Sequence, residues 1–130
     1  MTIALVCVAL LGALLFGLGF AVSLTRGRTN TTAGSSGDPA DGLHKAVRAH
    51  GNTSEYVGML AVLILVLGSR EPSTWGIISM IGATVSRYLL AAGILLSSTL
   101  EKPHPLRFVG ALGTYLFGLG LCGSLLWSLV

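Results

Sequence analysis

Arg48-Ala49-His50-Gly51-Asn52-Thr53-Ser54-Glu55-Tyr56 opens an apolar stretch that continues through Met59 to Leu67. The run sets ionisable side chains inside a segment long enough to cross a bilayer. A charge at bilayer depth costs from about 2.5 kcal/mol upward on insertion scales, so such residues normally face a partner, a cavity or a substrate. Arg48, Asn52 and Glu55 fall at i, i+4 and i+7, which at helical pitch places a cation, an amide and a carboxylate on one stripe. His44, one turn earlier, extends the stripe, whereas His50 and Tyr56 are expected to point elsewhere. The stripe reads as a polar site built into a membrane-spanning helix.

Composition agrees. Hydrophobic residues make up 52% of the 130 positions, charged residues only 10%, and the mean hydropathy is +0.80. Apolar segments of spanning length run from Thr2 to Leu24, His44 to Leu67, Trp75 to Ser98 and Leu106 to Val130. The expected fold is therefore an all-α integral membrane protein, a single four-transmembrane-helix bundle over residues 1–130. The stretch 25–43 is rich in Gly, Ser and Thr and reads as a mobile surface loop, with Asp41 or Gly42 capping the second helix. Gly68 to Ser73 forms a tight reversal in which Ser73 is a natural N-cap, and Pro103 and Pro105 separate the last two spans.

The first span lacks a basic start and is longer than a signal-peptide core, so it is read as retained. Arg26, Arg28, Lys45, Lys102 and Arg107 flank the first and third connections, against Arg70 alone on the other side. By the positive-inside rule those connections are cytoplasmic, both termini lie outside, and the membrane is a plasma or inner membrane. The net charge of +3 is thus a topology signal and not a nucleic-acid footprint. Cys7 and Cys122 lack metal-ligand spacing and read as small apolar residues, so no metal is expected. The Asn-x-Ser/Thr sequons at Asn30 and Asn52 fall on the cytoplasmic side and within a span, and neither is expected to be glycosylated.

Small residues recur every fourth position at Ala9, Ala13, Gly17 and Ala21, and again at Gly110, Thr114, Gly118 and Cys122, a pattern that permits close helix approach. Arg87, in the third span, lies at a depth comparable with Glu55. An ion pair between them would lower the cost of burying either charge; Arg87 then serves either helix register or ligand contact. Arg107 taken alone reads as an interfacial anchor.

The second-span run, the third-span Arg87 and Arg107 after a Pro-containing connection together resemble the MAPEG family, membrane-associated proteins of eicosanoid and glutathione metabolism. Length, span number and the order of charged residues extend the likeness over the chain, and the short connections are similar to those of bacterial members. The resemblance implies a homotrimer with thiol sites between neighbouring subunits, open to the cytoplasmic side. It implies that Arg48, Asn52 and Glu55 hold glutathione, with Arg107 near its sulfur and with Arg87 and His44 as further contacts. Arginines suit the tripeptide carboxylates, Glu55 its amino group, and a cation near sulfur favours thiolate. The chain departs from the family at Leu90, where a His is frequent, at Gly58, where Pro is frequent, and at Phe108, where a polar residue occurs. Tyr115, two turns after Arg107, can supply a hydroxyl beside Arg107 as a catalytic group, and Tyr88 is a further candidate.

The leading expectation is a membrane-bound transferase or peroxidase-like enzyme that joins glutathione, or another low-molecular-weight thiol, to lipophilic electrophiles. The alternatives are a non-enzymatic lipid-binding or scaffold trimer, favoured by Leu90 and Phe108, and a small cation transporter carried by Glu55.

Overall fold

A computed structural model describes residues 1–129. The chain forms four long helices: α1 (Thr2–Thr29), α2 (Gly42–Gly68), α3 (Thr74–Leu96) and α4 (Pro105–Trp127). All four are long and apolar enough to cross a membrane. The expected end of the fourth span at Val130 lies outside the described residues.

The helix ends follow from local chemistry. α1 runs past the expected Leu24 because Thr25 and Thr29 return their hydroxyls to the carbonyls of Ala21 and Thr25, at 2.8 and 3.0 Å, while Arg26 and Arg28 sit favourably against the helix C-terminus. It stops at Asn30, which takes the left-handed conformation (φ 50°), and Thr31 donates its N–H back to the Arg26 carbonyl at 3.1 Å. Ser73 caps α3 by accepting from the N–H of Gly76 at 3.2 Å. Asp41 caps α2 by accepting from the N–H of His44 at 2.9 Å.

That backbone hydrogen bond holds the Asp41 carboxyl below its ordinary value, opposed by desolvation and helped by the Ser36 hydroxyl. A lowered folded-state pKa means that the unfolded chain binds more protons in acid. The cap's contribution is therefore full above the unfolded carboxylate pKa and disappears as pH falls through the folded value. Asp41→Ala should lower the melting temperature at neutral pH, and the gap to wild type should close on acidification, as measured by thermal circular dichroism between pH 7 and 2.5.

Packing is uneven around the bundle. α3 and α4 form the tightest pair, α1 packs on α2, and α2 meets both α3 and α4, whereas α1 and α4 do not pack together among the described residues. Two hairpins therefore dock through α2 and α3, with a lesser contact of α1 on α3. The α3–α4 approach depends on glycine. A Cβ at Gly93 would lie 2.6 Å from the Arg107 nitrogen, and one at Gly110 would lie 2.7 Å from the Leu90 Cα, so backbone meets backbone there. In the main core, Leu11, Ile64, Met80 and Leu121 contribute one large side chain from each helix.

The two small-residue ladders fare differently. Gly110 and Thr114 are buried and Gly118 is partly buried near Leu60, but Cys122 is exposed. In α1 the buried stripe is Ala4, Cys7, Leu11, Leu18 and Val22, so Ala9, Ala13 and Gly17 face outward with Phe16 and Phe20. Both cysteines are free thiols.

The connection after α1 makes hydrogen bonds to the start of α2 and to the third connection. Ser35 Oγ bonds His44 Nδ1 at 3.0 Å, Ser36 Oγ donates to Asp41 at 3.1 Å, and the Pro39 carbonyl accepts the Leu100 N–H at 2.9 Å. Lys45 Nζ donates to the Ser97 carbonyl at 3.1 Å. The first and third connections are thus stitched together at one end of the bundle.

Candidate functional site

A cleft of about 170 Å³ opens between α2, α3 and α4 near that stitched end. Its polar lining is Arg48, Asn52 and Tyr56 from α2, Arg87 from α3, and Arg107, Thr114 and Tyr115 from α4. Leu90, Ile94, Leu100 and Ala111 form an apolar flank. Three arginines line the cleft, and among the described residues no Asp or Glu does.

Arg87 is the centre of this arrangement. It is 1% exposed and the largest fully buried side chain. Its Nη2 donates to the Asn52 side-chain oxygen at 2.8 Å and to the Asn52 carbonyl at 2.9 Å, with Thr53 Oγ1 at 3.4 Å. The guanidinium carbon stands 5.0 Å from the centre of the Tyr56 ring, a cation–π contact. Nε and Nη1 are buried with no hydrogen-bond partner. Tyr56 in turn meets Tyr115, ring edge to face at 6.1 Å, with the two hydroxyls 3.3 Å apart. Arg107 Nη1 donates to the carbonyls of Leu100 and Lys102, both at 3.1 Å, fixing the connection that carries Leu100 into the cleft wall.

Two expectations of side-chain placement, the Glu55–Arg87 ion pair and the direction of Tyr56, are corrected. Arg87 bonds Asn52 and Thr53, and no Glu55–Arg87 ion pair forms among the described residues. The reason is helical phase. Thr53 is fully buried, and Glu55, two residues on, lies about 160° from it around the helix, which leaves the carboxylate exposed. Tyr56, three residues on, is only about 60° from Thr53 and joins the cleft. It was expected to point elsewhere, although its i+4 spacing from Asn52 carried the signal. His44 lies one turn before Arg48, outside the cleft lining, with its ring against Ser35 Oγ. Tyr88 donates to the Leu10 carbonyl at 2.9 Å and serves the α1–α3 contact. His50 packs beside Gly19 of α1.

Four helices long and apolar enough to cross a bilayer, with a polar cleft between three of them, are the architecture of a multi-pass membrane protein. The chain belongs to the MAPEG family, whose model matches residues 4–127. No match to a curated protein or to a solved structure was found.

Proposed function

We propose that this protein is a membrane-bound transferase or peroxidase-like enzyme that uses glutathione, or a related small thiol, against lipophilic electrophiles. One observation carries this reading. Arg87 is a buried cation that forms no ion pair among the described residues and keeps two nitrogens without partners, beside two further arginines in the same cleft. An ionised group held in an apolar span at that cost calls for an anionic ligand. Glutathione fits the donor set, since its two carboxylates and its thiolate are acceptors for guanidinium groups.

In this reading Arg48 and Arg87 bind carboxylates, with Asn52 holding the Arg87 guanidinium in place. Arg107 and the Tyr56–Tyr115 hydroxyl pair supply positive charge and O–H donors that lower the cost of carrying a thiolate. The thiol supplies the nucleophile. The exposed Glu55 and Arg48 on the outer side of α2 favour assembly, as does a cleft smaller than the roughly 300 Å³ at the low end of ligand pockets. A homotrimer, in which a neighbouring copy covers that face, answers both needs. The cluster of Arg26, Arg28, Lys45, Lys102 and Arg107 at the stitched end sets that end, and the cleft mouth, toward the cytoplasm.

Calorimetry of glutathione with the protein in lipid nanodiscs tests the proposal. Saturable binding is expected, with Arg48→Ala weakening it about tenfold, the scale of one charge-assisted hydrogen bond. No heat of binding with wild type would remove the thiol reading. The apolar flank of Leu90, Ile94 and Leu100 supports a second reading, a lipid-binding protein without turnover, which product formation from an electrophile in the same nanodiscs would exclude.

A further inference from the structure

At the end of the bundle away from the stitched connections, a hollow of about 500 Å³ lies between the start of α3 and the last turns of α4. Trp75 lines it from α3, and Leu119, Gly120, Gly123, Ser124 and Trp127 line it from α4. It shares no residue with the arginine cleft, and its volume falls within the roughly 300–1,000 Å³ of ligand pockets.

The hydroxyls here are unusual. Ser and Thr in helices commonly return their O–H to a carbonyl one turn back, as Thr25, Thr84, Ser86 and Thr114 do at 2.7–2.9 Å. Ser79 and Ser124 do not, and each hydroxyl oxygen is buried without a partner. Ser124 lines the hollow. Ser79, fully buried, borders it behind Gly120: a Cβ added to Gly120 would fall 2.7 Å from Ser79 Oγ and 3.3 Å from Trp75 Nε1. The missing side chain at Gly120 thus lets a buried hydroxyl and an indole N–H face one space. The half-exposed Trp75 covers that space, and rotation of its indole admits a ligand to Ser79.

Buried donors left unsatisfied in a membrane are costly, so these groups call for an acceptor. A second copy's spanning helix is a poor source, because its backbone carbonyls are already used within the helix. The ester carbonyls of a lipid are free acceptors, and the two tryptophans mark this end as the level where headgroups meet acyl chains. Arg70, whose Nη1 donates to Ser128 Oγ at 3.3 Å beside Trp127, is followed by Glu71, so charge at this end favours neither sign of headgroup. We infer that the hollow is a glycerophospholipid site, in which the ester carbonyls accept from Ser79, Ser124 and Trp75 and an acyl chain runs along Gly123 and Leu119. The inference is independent of the thiol reading.

Trp75 and Trp127 are the only tryptophans in the chain, so intrinsic fluorescence reads the hollow directly. The test titrates the protein in dodecyl maltoside with phosphatidylcholine brominated in its acyl chains, and with the ether-linked analogue that lacks the carbonyls. Quenching should saturate at a single lipid per chain, with the ester form binding about tenfold tighter, the scale of one or two hydrogen bonds. Ser79→Ala and Ser124→Ala should each lower that preference about threefold. Gly123→Leu should abolish saturation without altering the circular dichroism, since nothing lies within 4 Å of its added Cβ and the side chain grows into the hollow. Quenching that rises only in proportion to lipid, alike in wild type and Gly123→Leu, is ordinary boundary lipid and overturns the site. Saturation without an ester preference, or with one that survives both serine substitutions, overturns the recognition. Tryptophans shielded from brominated lipid until the protein is diluted to monomers would show another copy covering the hollow, and the inference would fail.

Discussion

Arg87→Met is expected to weaken glutathione binding about tenfold to a hundredfold while leaving the melting temperature within a few degrees of wild type. The two parts of this result have different causes. A charge-assisted hydrogen bond contributes roughly 1.5–3 kcal/mol to a ligand, and Arg87 is the buried member of the arginine cluster. Stability responds less. Removing a buried cation relieves its desolvation cost, and replacing buried ionic groups with a well-packed apolar side chain is often neutral or stabilising. Against that stands the loss of the Asn52 and Thr53 contacts. Interhelical hydrogen bonds in membrane proteins average only about 0.6 kcal/mol. Calorimetry and thermal unfolding of the same preparation separate the roles. A collapse of the melting temperature with Met, whose length approximates that of the Arg stem, would show that Arg87 serves helix register.

Gly110→Ala should be the most destabilising small substitution in the chain. The added methyl would lie 2.8 Å from the Leu90 Cβ and 2.7 Å from its Cα, and backbone cannot rotate out of the way as a side chain does. The α3–α4 pair must separate, at a cost of about 3 kcal/mol or more, toward the upper end of overpacking effects. Because Leu90 and Ala111 adjoin that contact and line the cleft, ligand affinity should fall with it. Gly27→Ala is the control. Nothing lies within 4 Å of its added methyl, and Ala gains up to about 1 kcal/mol of helix propensity. Denaturation of both variants by titrated detergent, followed by circular dichroism, checks the contrast.

The bundle was legible from the apolar segments because the length of a spanning helix is fixed by the bilayer. The caps at Asp41 and Ser73 were equally readable, since each side chain satisfies a backbone N–H within its own turn. Less accessible was the direction in which the α2 stripe faces. Polar spacing placed Arg48, Asn52 and Glu55 together, yet those positions span an arc wide enough for its edges to face different neighbours. The deciding signal was on the opposite side of the helix. Ala46, Ala49, Thr53, Val57 and Leu60 are its buried residues, and they turn Tyr56 inward and Glu55 outward. Small and weakly polar members such as Ala49 and Thr53 disguise that face in a helix where nearly every residue is compatible with lipid. The tether of Pro39 to Leu100 could not be read at all, because a backbone-to-backbone bond between two connections leaves no mark in residue type.

The docking of two hairpins gives the cleft an unusual dependence. Arg48, Asn52 and Tyr56 belong to the first hairpin, and Arg87, Arg107 and Tyr115 to the second, so neither half carries the site alone. A molecule that fills it recognises only the docked arrangement. At a concentration of a hundred times its dissociation constant such a ligand adds about 2.7 kcal/mol to the docked state. Any compound that occupies the arginine cluster is therefore also a pharmacological chaperone, able to rescue chains whose two halves insert correctly into the membrane but fail to find each other.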